Sequence, residues 1–415
     1  MSLVFPFKAL RPAKSFVRQI AAPPYDVMSC AEAQSFVGAN PLSFLHVEKS
    51  EIDVPDATGV DDRRIYDRAR SNLMAMIDKG VFRRDDSPAF YLYRQRLGGH
   101  VQTGIVAGVS IAEYESGRIR RHELTRDDKE RERTSHIDAV GAQTGPVMLV
   151  YRGRDAIESL TAKVASRPPE YDFTAGDGVD HTVWVIDDPA EKQEIVGGFA
   201  AIEALYIADG HHRAAAAAAV ARLRKGRHPS DRGDEAHHRL MAVLFPEDQL
   251  RIMDYNRAVR DLNGLSEKAY LERVGERFLI SGGFAQKSPA RRHEFGMYLG
   301  GTWRRIEARK EILRDEDPIA GLDVSLLQDH LLGPILGIRD QRTDGRIAFI
   351  GGSRGMVGLE RLVDQGDCAV AFSLYPPTVG EMMAVADTGA VMPPKSTWFE
   401  PKLLSGLFVH LLTAS

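Results

Sequence analysis

The chain has 415 residues, 43% of them hydrophobic and 27% charged, the profile of an ordinary folded protein with ample material for a core. Its formal net charge of −4 supplies no general basic field, which disfavours a dedicated nucleic-acid binder. Cys30 and Cys368 cannot build a disulfide framework, no apolar run approaches the roughly 18 residues of a membrane span, and the opening stretch lacks a signal-peptide core, so a cytoplasmic protein is expected.

Residues 4–10 read as a short strand, and residues 21–27 as a loop stiffened by Pro23 and Pro24. That loop either presents Tyr25 and Asp26 to a pocket or simply closes a turn. Asn40 and Pro41 mark another turn before a strand at 44–47. Residues 63–79 carry apolar side chains at helical spacing, with Gly80 placed to cap the end. Segments 89–96 and 101–111 flank Gly98 and Gly99 as a hairpin, and a strand at 118–123 follows, bringing His122 and Glu123 to its end. The charged run 126–133 alternates in sign and reads as a solvated helix face, with a lid as the alternative.

Strands at 147–151 and 180–186 alternate with helices at 156–165 and 188–199. This pattern predicts an α+β protein of mixed α/β layers. Next comes the stretch around which the chain is organised. Leu205 to Ala208 form a short apolar run, Asp209 and Gly210 make a turn, and His211, His212 and Arg213 precede six alanines, Ala214 to Ala219. A strand, a glycine turn and a helix start are predicted.

A helix start presents unpaired N–H groups and the positive end of the helix dipole, which suits phosphate or carboxylate. His211, His212 and Arg213 would add up to three donors in the first turn. Asp209 fits there only by holding a metal ion, orienting a histidine or accepting a proton. Beyond a polar loop at 225–234, a strand is expected at 240–245. His237 and His238 read as surface residues, because no cysteine or carboxylate pattern beside them completes a metal site.

A second unit is expected from residue 255 onward, giving units of 1–254 and 255–415. It should hold a helix at 265–278, a hairpin around Gly300 and Gly301, a helix at 323–332, strands at 346–350 and 368–374 with the helical segment 355–363 between them, and a helix after the Thr378/Glu381 capping box. Near its end, Lys395, Ser396 and Thr397 follow Pro393 and Pro394. They are candidate phosphate or substrate contacts, although the glycines of a P-loop are absent.

The run Asp209, Gly210, His211, His212, Arg213 followed by alanines resembles the signature of the ParB/sulfiredoxin superfamily. Blocks at 22–27, 40–47, 121–125 and 392–402 also resemble a bacterial family of unknown function that carries this motif. The resemblance implies a ParB/sulfiredoxin-like nucleotide-binding core with additional N- and C-terminal α/β elements. It further implies a phosphotransferase similar to the nucleotide-dependent free serine kinases, with ATP or ADP and Mg2+ as cofactors and a small hydroxyl compound, free L-serine, as acceptor. Gly210, His211, His212 and Arg213 would bind the nucleotide phosphates. Glu123 is the candidate general base with Asp209 as its competitor, and Tyr25, Asp26, His122, Lys395, Ser396 and Thr397 are candidate contacts. Two other readings stay open: a nucleotide-binding switch without rapid turnover, and a metal-dependent hydrolase built on the histidines.

Overall fold

A computed structural model of the chain describes residues 2–227, 231–351 and 355–412. Part of the polar loop expected at 225–234 therefore lies outside the described residues. The protein is a mixed α/β structure with several sheets, and the chain divides into two units, residues 1–250 with 401–415, and residues 251–400. The last fifteen residues thus belong to the first unit, although they follow the second in sequence.

The first unit is built on a nine-stranded sheet. Its order is Ile119–Arg120, Leu205–Asp209, Val147–Tyr151, Arg239–Pro246, His100–Ser110, Phe90–Leu97, Asp180–Ile186 and Tyr171–Thr174, with Val4–Phe5 added beside His100–Ser110. Leu205–Asp209 runs parallel to Ile119–Arg120 and antiparallel to Val147–Tyr151. Its register with Val147–Tyr151 slips between Ile207 and Asp209. A bulge of this kind bends a strand end and re-aims the next side chain. Asp209 is the residue re-aimed.

The helix His211–Arg227 explains its own composition. Ala214, Ala217, Ala218 and Ala221 sit in the main core with Leu205, Ile207 and Leu149. Ala216 and Val220 pack on the opposite side, against Ile137 and Leu412. A helix covered on both sides is apolar nearly all round, and alanine lets both neighbours approach closely. The helix Asp127–Val140 is one of those neighbours. Its charged run is not simply a solvated face, since Glu132, Arg133 and His136 are buried.

Residues 44–47, expected as a strand, are helical: Leu45–Glu48 forms one turn, with Val47 N–H and Glu48 N–H both donating to Phe44 O. Four apolar-rich residues carry too little periodicity to separate the two forms. The turn buries Leu45 and Val47 in a second apolar cluster, with Leu73 and Met76 of the helix Arg63–Asp78. Likewise, the strand expected at 118–123 is only Ile119–Arg120, so His122 and Glu123 stand beyond it in irregular chain. Residues 401–412 pair back within the first unit, where His410–Leu411 lies antiparallel to Ala142–Gln143.

The second unit carries a six-stranded sheet in the order Phe278–Gly282, Thr302–Ala308, Glu294–Leu299, Val370–Leu374, Tyr255–Val259 and Ile347–Gly351, antiparallel throughout. The helix expected at 265–278 covers Glu267–Gly275, and Phe278 already belongs to a strand. Among the described residues no helix is long and apolar enough to cross a membrane.

Candidate functional site

The junction is a strand, a single glycine and a helix. Gly210 has φ +92°, a conformation that L side chains rarely adopt. The ladder of the helix begins at once, with Ala214 N–H donating to Gly210 O at 3.0 Å. The N–H groups of the first turn then have no intrahelical acceptor.

Asp209 meets a residue from the far end of the sequence. Lys402 Nζ donates to Asp209 Oδ2 at 3.3 Å. Burial opposes ionisation of Asp209, but Lys402, Arg213 and His211 outweigh it and hold the carboxyl below the usual carboxylate range. At neutral pH it is an anion fixed at the end of the strand.

Arg213 donates from Nη1 to Pro146 O at 3.0 Å, while its Nη2 is buried and meets no acceptor among the described residues. Glu48 is buried beside it, with Oε1 equally unmatched. Gly145 lies between the two. A Cβ at position 145 would stand 3.0 Å from both Arg213 Nη2 and Glu48 Oε1. Any side chain there would press on both ends, so glycine keeps the two polar groups open to each other. Burial raises the Glu48 pKa, yet Arg213 and then Arg133 bring it below its ordinary value. Glu48 is accordingly a buried carboxylate held ionised between two arginines.

Arg133 continues the network. It donates from Nη1 to Glu48 Oε2 at 3.3 Å and from Nη2 to Glu132 Oε1 at 3.0 Å, and Lys129 Nζ reaches Glu132 Oε2 at 2.7 Å. His136 of the same helix donates from Nε2 to Val47 O at 2.8 Å and so fixes the turn that carries Glu48. Glu48, Arg133, His136, Gly145 and Arg213 line a small cavity. Tyr25 serves as a platform: its buried ring lies under Arg133 Cζ at 3.9 Å and Arg213 Cζ at 5.3 Å. The Pro-Pro loop thus brings Tyr25 to the arginines and leaves its neighbour Asp26 exposed.

The histidines divide into different environments. His122 and His211 are buried with ring centroids 4.6 Å apart and planes nearly perpendicular. Burial, reinforced for His122 by His211, pushes them down to about 3 and about 4, so both are neutral at pH 7. The ligand-type atoms of His122, Glu123 and His211 lie within 4.8 Å of one another. His212 Nε2 accepts the N–H of Arg126 at 3.1 Å. Up to three donors are expected from 211–213; being neutral, His211 offers a single N–H, and His212, with Nε2 accepting from the main chain, offers its Nδ1–H.

Lys395, Ser396 and Thr397 belong to the second unit. Ser396 is buried, and its Oγ donates to Pro393 O at 2.6 Å. The carbonyls of Pro394 and Lys395 accept from Nη2 of the buried Arg257 at 3.1 and 3.0 Å. Lys395 itself is exposed and has φ +57°.

Glu48, Arg133 and Gly145 escaped sequence reasoning. Glu48 is the residue directly after the 40–47 block, and Arg133 is hidden in a run of alternating charge. Gly145 had a readable signal, a Gly-Pro pair just before a buried strand.

A search of curated proteins finds no match. Among solved structures, a free serine kinase mutant in complex with AMP is similar at 14% identity and TM-score 0.36, covering 71% of this chain and 87% of that one. A conserved hypothetical protein from Pyrococcus furiosus is similar at 14% identity and TM-score 0.36, covering 74% and 97%. SbnI with a C-terminal truncation, from Staphylococcus aureus, is similar at 13% identity and TM-score 0.38, covering 74% and 87%. Likenesses this distant leave any functional reading to the side chains themselves. Residues 4–325 match the model of a family described as a protein of unknown function, DUF1015, and the chain belongs to that family.

Proposed function

We propose that the protein is a nucleotide-dependent phosphotransferase that moves a phosphoryl group to a small hydroxyl compound, with free L-serine as the first acceptor to test. The observation that carries this reading is the buried, unmatched Nη2 of Arg213 in the first turn of a helix that follows a glycine of positive φ. An anion at this helix start would gain main-chain N–H groups, and Arg213 would add a charged donor. Phosphoryl transfer asks little more of a protein than such donors, a divalent ion and a base for the incoming hydroxyl.

Asp209 and Glu123 supply the hard oxygen donors that Mg2+ accepts. Bound with the nucleotide, Mg2+ would offset phosphate charge. Three carboxylates then compete to take the hydroxyl proton: Glu123, Asp209 and the buried Glu48. Tyr25 and Arg133 hold Glu48 and Arg213 in place, and the Asp209–Lys402 pair fixes the end of the strand.

The test is incubation with Mg2+, ATP or ADP and L-serine, with O-phosphoserine as the readout. No phosphorylated product with either nucleotide sinks the serine assignment. Tight binding without product would move the protein to the nucleotide-switch reading. Glu48→Gln, Glu123→Gln and Asp209→Asn sort the base, since the variant that loses roughly 10²- to 10⁴-fold in turnover while sparing nucleotide affinity has lost it.

A second reading, a metal-dependent hydrolase, is favoured by the convergence of His122, Glu123 and His211. Stoichiometric transition metal that disappears with His211→Asn would support it.

A further inference from the structure

His237 and His238 do not stand alone as surface residues. Asp231, Glu235, His237 and His238 bring four ligand-type atoms within 4.8 Å of one another. His237 Nε2 is 2.8 Å from Asp231 Oδ2, His238 Nε2 is 2.6 Å from Asp231 Oδ1, and Glu235 Oε2 is 3.8 Å from His238 Nε2. The side chain of Asp231 is 3% exposed and that of His237 6%. One helical turn, Ala236–His238, carries both rings to the same side with centroids 4.5 Å apart. The carboxylates come from seven and three residues before the turn's end at His238, too irregular a spacing to be read as a motif.

Two carboxylates and two imidazole nitrogens gathered this closely form a donor set of borderline softness with four members. Such a set suits Zn2+ or a similar divalent transition metal better than Mg2+ or Ca2+, which take oxygen ligands almost alone. Four protein ligands also complete a tetrahedral shell and leave no open position, the mark of a structural site. The segment lies between the helix His211–Arg227 and the strand Arg239–Pro246, and His410 Nε2 also donates to Ala236 O at 2.9 Å. We propose that Asp231, Glu235, His237 and His238 bind one structural zinc-type ion that clamps this connection to the sheet. The site shares no residue with the phosphotransferase reading and does not depend on it.

The competing arrangement is a hydrogen-bonded cluster in which both Nε2–H groups donate to Asp231 and no metal binds. Full-length protein loaded with Zn2+ and desalted, then analysed for metal, separates the two. The expected result is at least one equivalent retained by the native chain and by His211→Asn, with one equivalent lost in His238→Asn and in Glu235→Gln. Glu235 is part-exposed, so its isosteric replacement keeps the test valid if the histidine variant misfolds. Replacement with Co2+ in the native chain should also give the intense visible bands of a tetrahedral ion. Zero retained zinc in the native chain overturns the proposal. So does metal that persists in both His238→Asn and Glu235→Gln but is lost in His211→Asn.

Discussion

Buried arginines in the two units do different work. Arg257 gives Nη1 to Tyr255 O at 2.7 Å, Nη2 to the carbonyls of Pro394 and Lys395, and Nε to Gln341 Oε1 at 3.0 Å. Its donors are spent on shaping a loop, and burial without a carboxylate partner lowers its pKa. Burial lowers the pKa values of Arg133 and Arg213 too, but neighbours outweigh it and raise both, Tyr25 and then Glu48 leading for Arg133 and Glu48 leading for Arg213. Among the described residues Nη2 of Arg213 still meets no acceptor. A buried cation whose donors are all used by its own chain is a brace, whereas one fixed by carboxylates with a donor left over is prepared for a ligand.

The largest expected effect that sharpens this contrast is its response to acid. His122, His136, His181, His211 and His410 all belong to the first unit, and burial is the leading cause that lowers each to about 3 or 4. In the unfolded chain a histidine titrates near 6.5. Below that pH the unfolded state binds the extra protons, so stability falls with pH, by up to about 1.4 kcal/mol per unit for each histidine. In the second unit, burial raises Asp323 to about 7. There the native state holds the extra proton, and the stability it confers is lost as pH rises toward 7. Hydrogen exchange at pH 5.0 and 7.5, corrected for intrinsic rates, should show protection falling on acidification in the first unit and rising around residue 323. Equal responses in the two units would remove the distinction.

Breaking the carboxylate network comes next. Arg133→Met should cost about 3–5 kcal/mol in urea unfolding, because it leaves Glu48 buried with a partner missing. Adding Glu48→Leu to that variant should recover part of the loss. A cost below about 1 kcal/mol for the single variant would mean that Glu48 is protonated or hydrated, and the contrast with Arg257 would fail.

These partners also mark the limit of what the sequence could show. The strand, turn and helix at 205–224 are legible because an apolar run, an Asp-Gly pair and an alanine tract lie side by side. Even so, helix propensity is only part of the reason for the alanines; the rest is cover on both sides, by the sheet and by the helix Asp127–Val140. Glu48 and Arg133 are 85 residues apart, and Asp209 and Lys402 are 193 apart. No local periodicity encodes pairings made by tertiary folding. The mistaken strand at 44–47 had the same root, since four residues decide nothing until their neighbours are known.

A more modest effect tests the unspent nitrogen directly. Arg213→Ala should weaken binding of ADP or ATP by roughly 1.5–3 kcal/mol, the value of a charged hydrogen bond. Arg213→Lys should recover little of it, since an ammonium cannot span Pro146 O and an anion as a planar fork does. Unchanged affinity in calorimetry would remove the phosphate reading from this junction altogether. Gly145→Ala acts on the same space from the main chain, by pushing on Arg213 and Glu48. It should lower affinity in the same direction and by less, because flexible side-chain ends can give way.

The smallest expected effect is at Lys395. A lysine at φ +57° carries a left-handed cost of about 1 kcal/mol that glycine does not. Lys395→Gly therefore removes the cation and relieves the backbone in one step. If the loop is only braced by Arg257, the variant should be more stable by up to about 1 kcal/mol and bind nucleotide unchanged. A fall in nucleotide affinity together with a gain in stability would mean that the strain is kept because the ammonium meets the ligand. The division between brace and ligand contact would then run through the side chains of one loop.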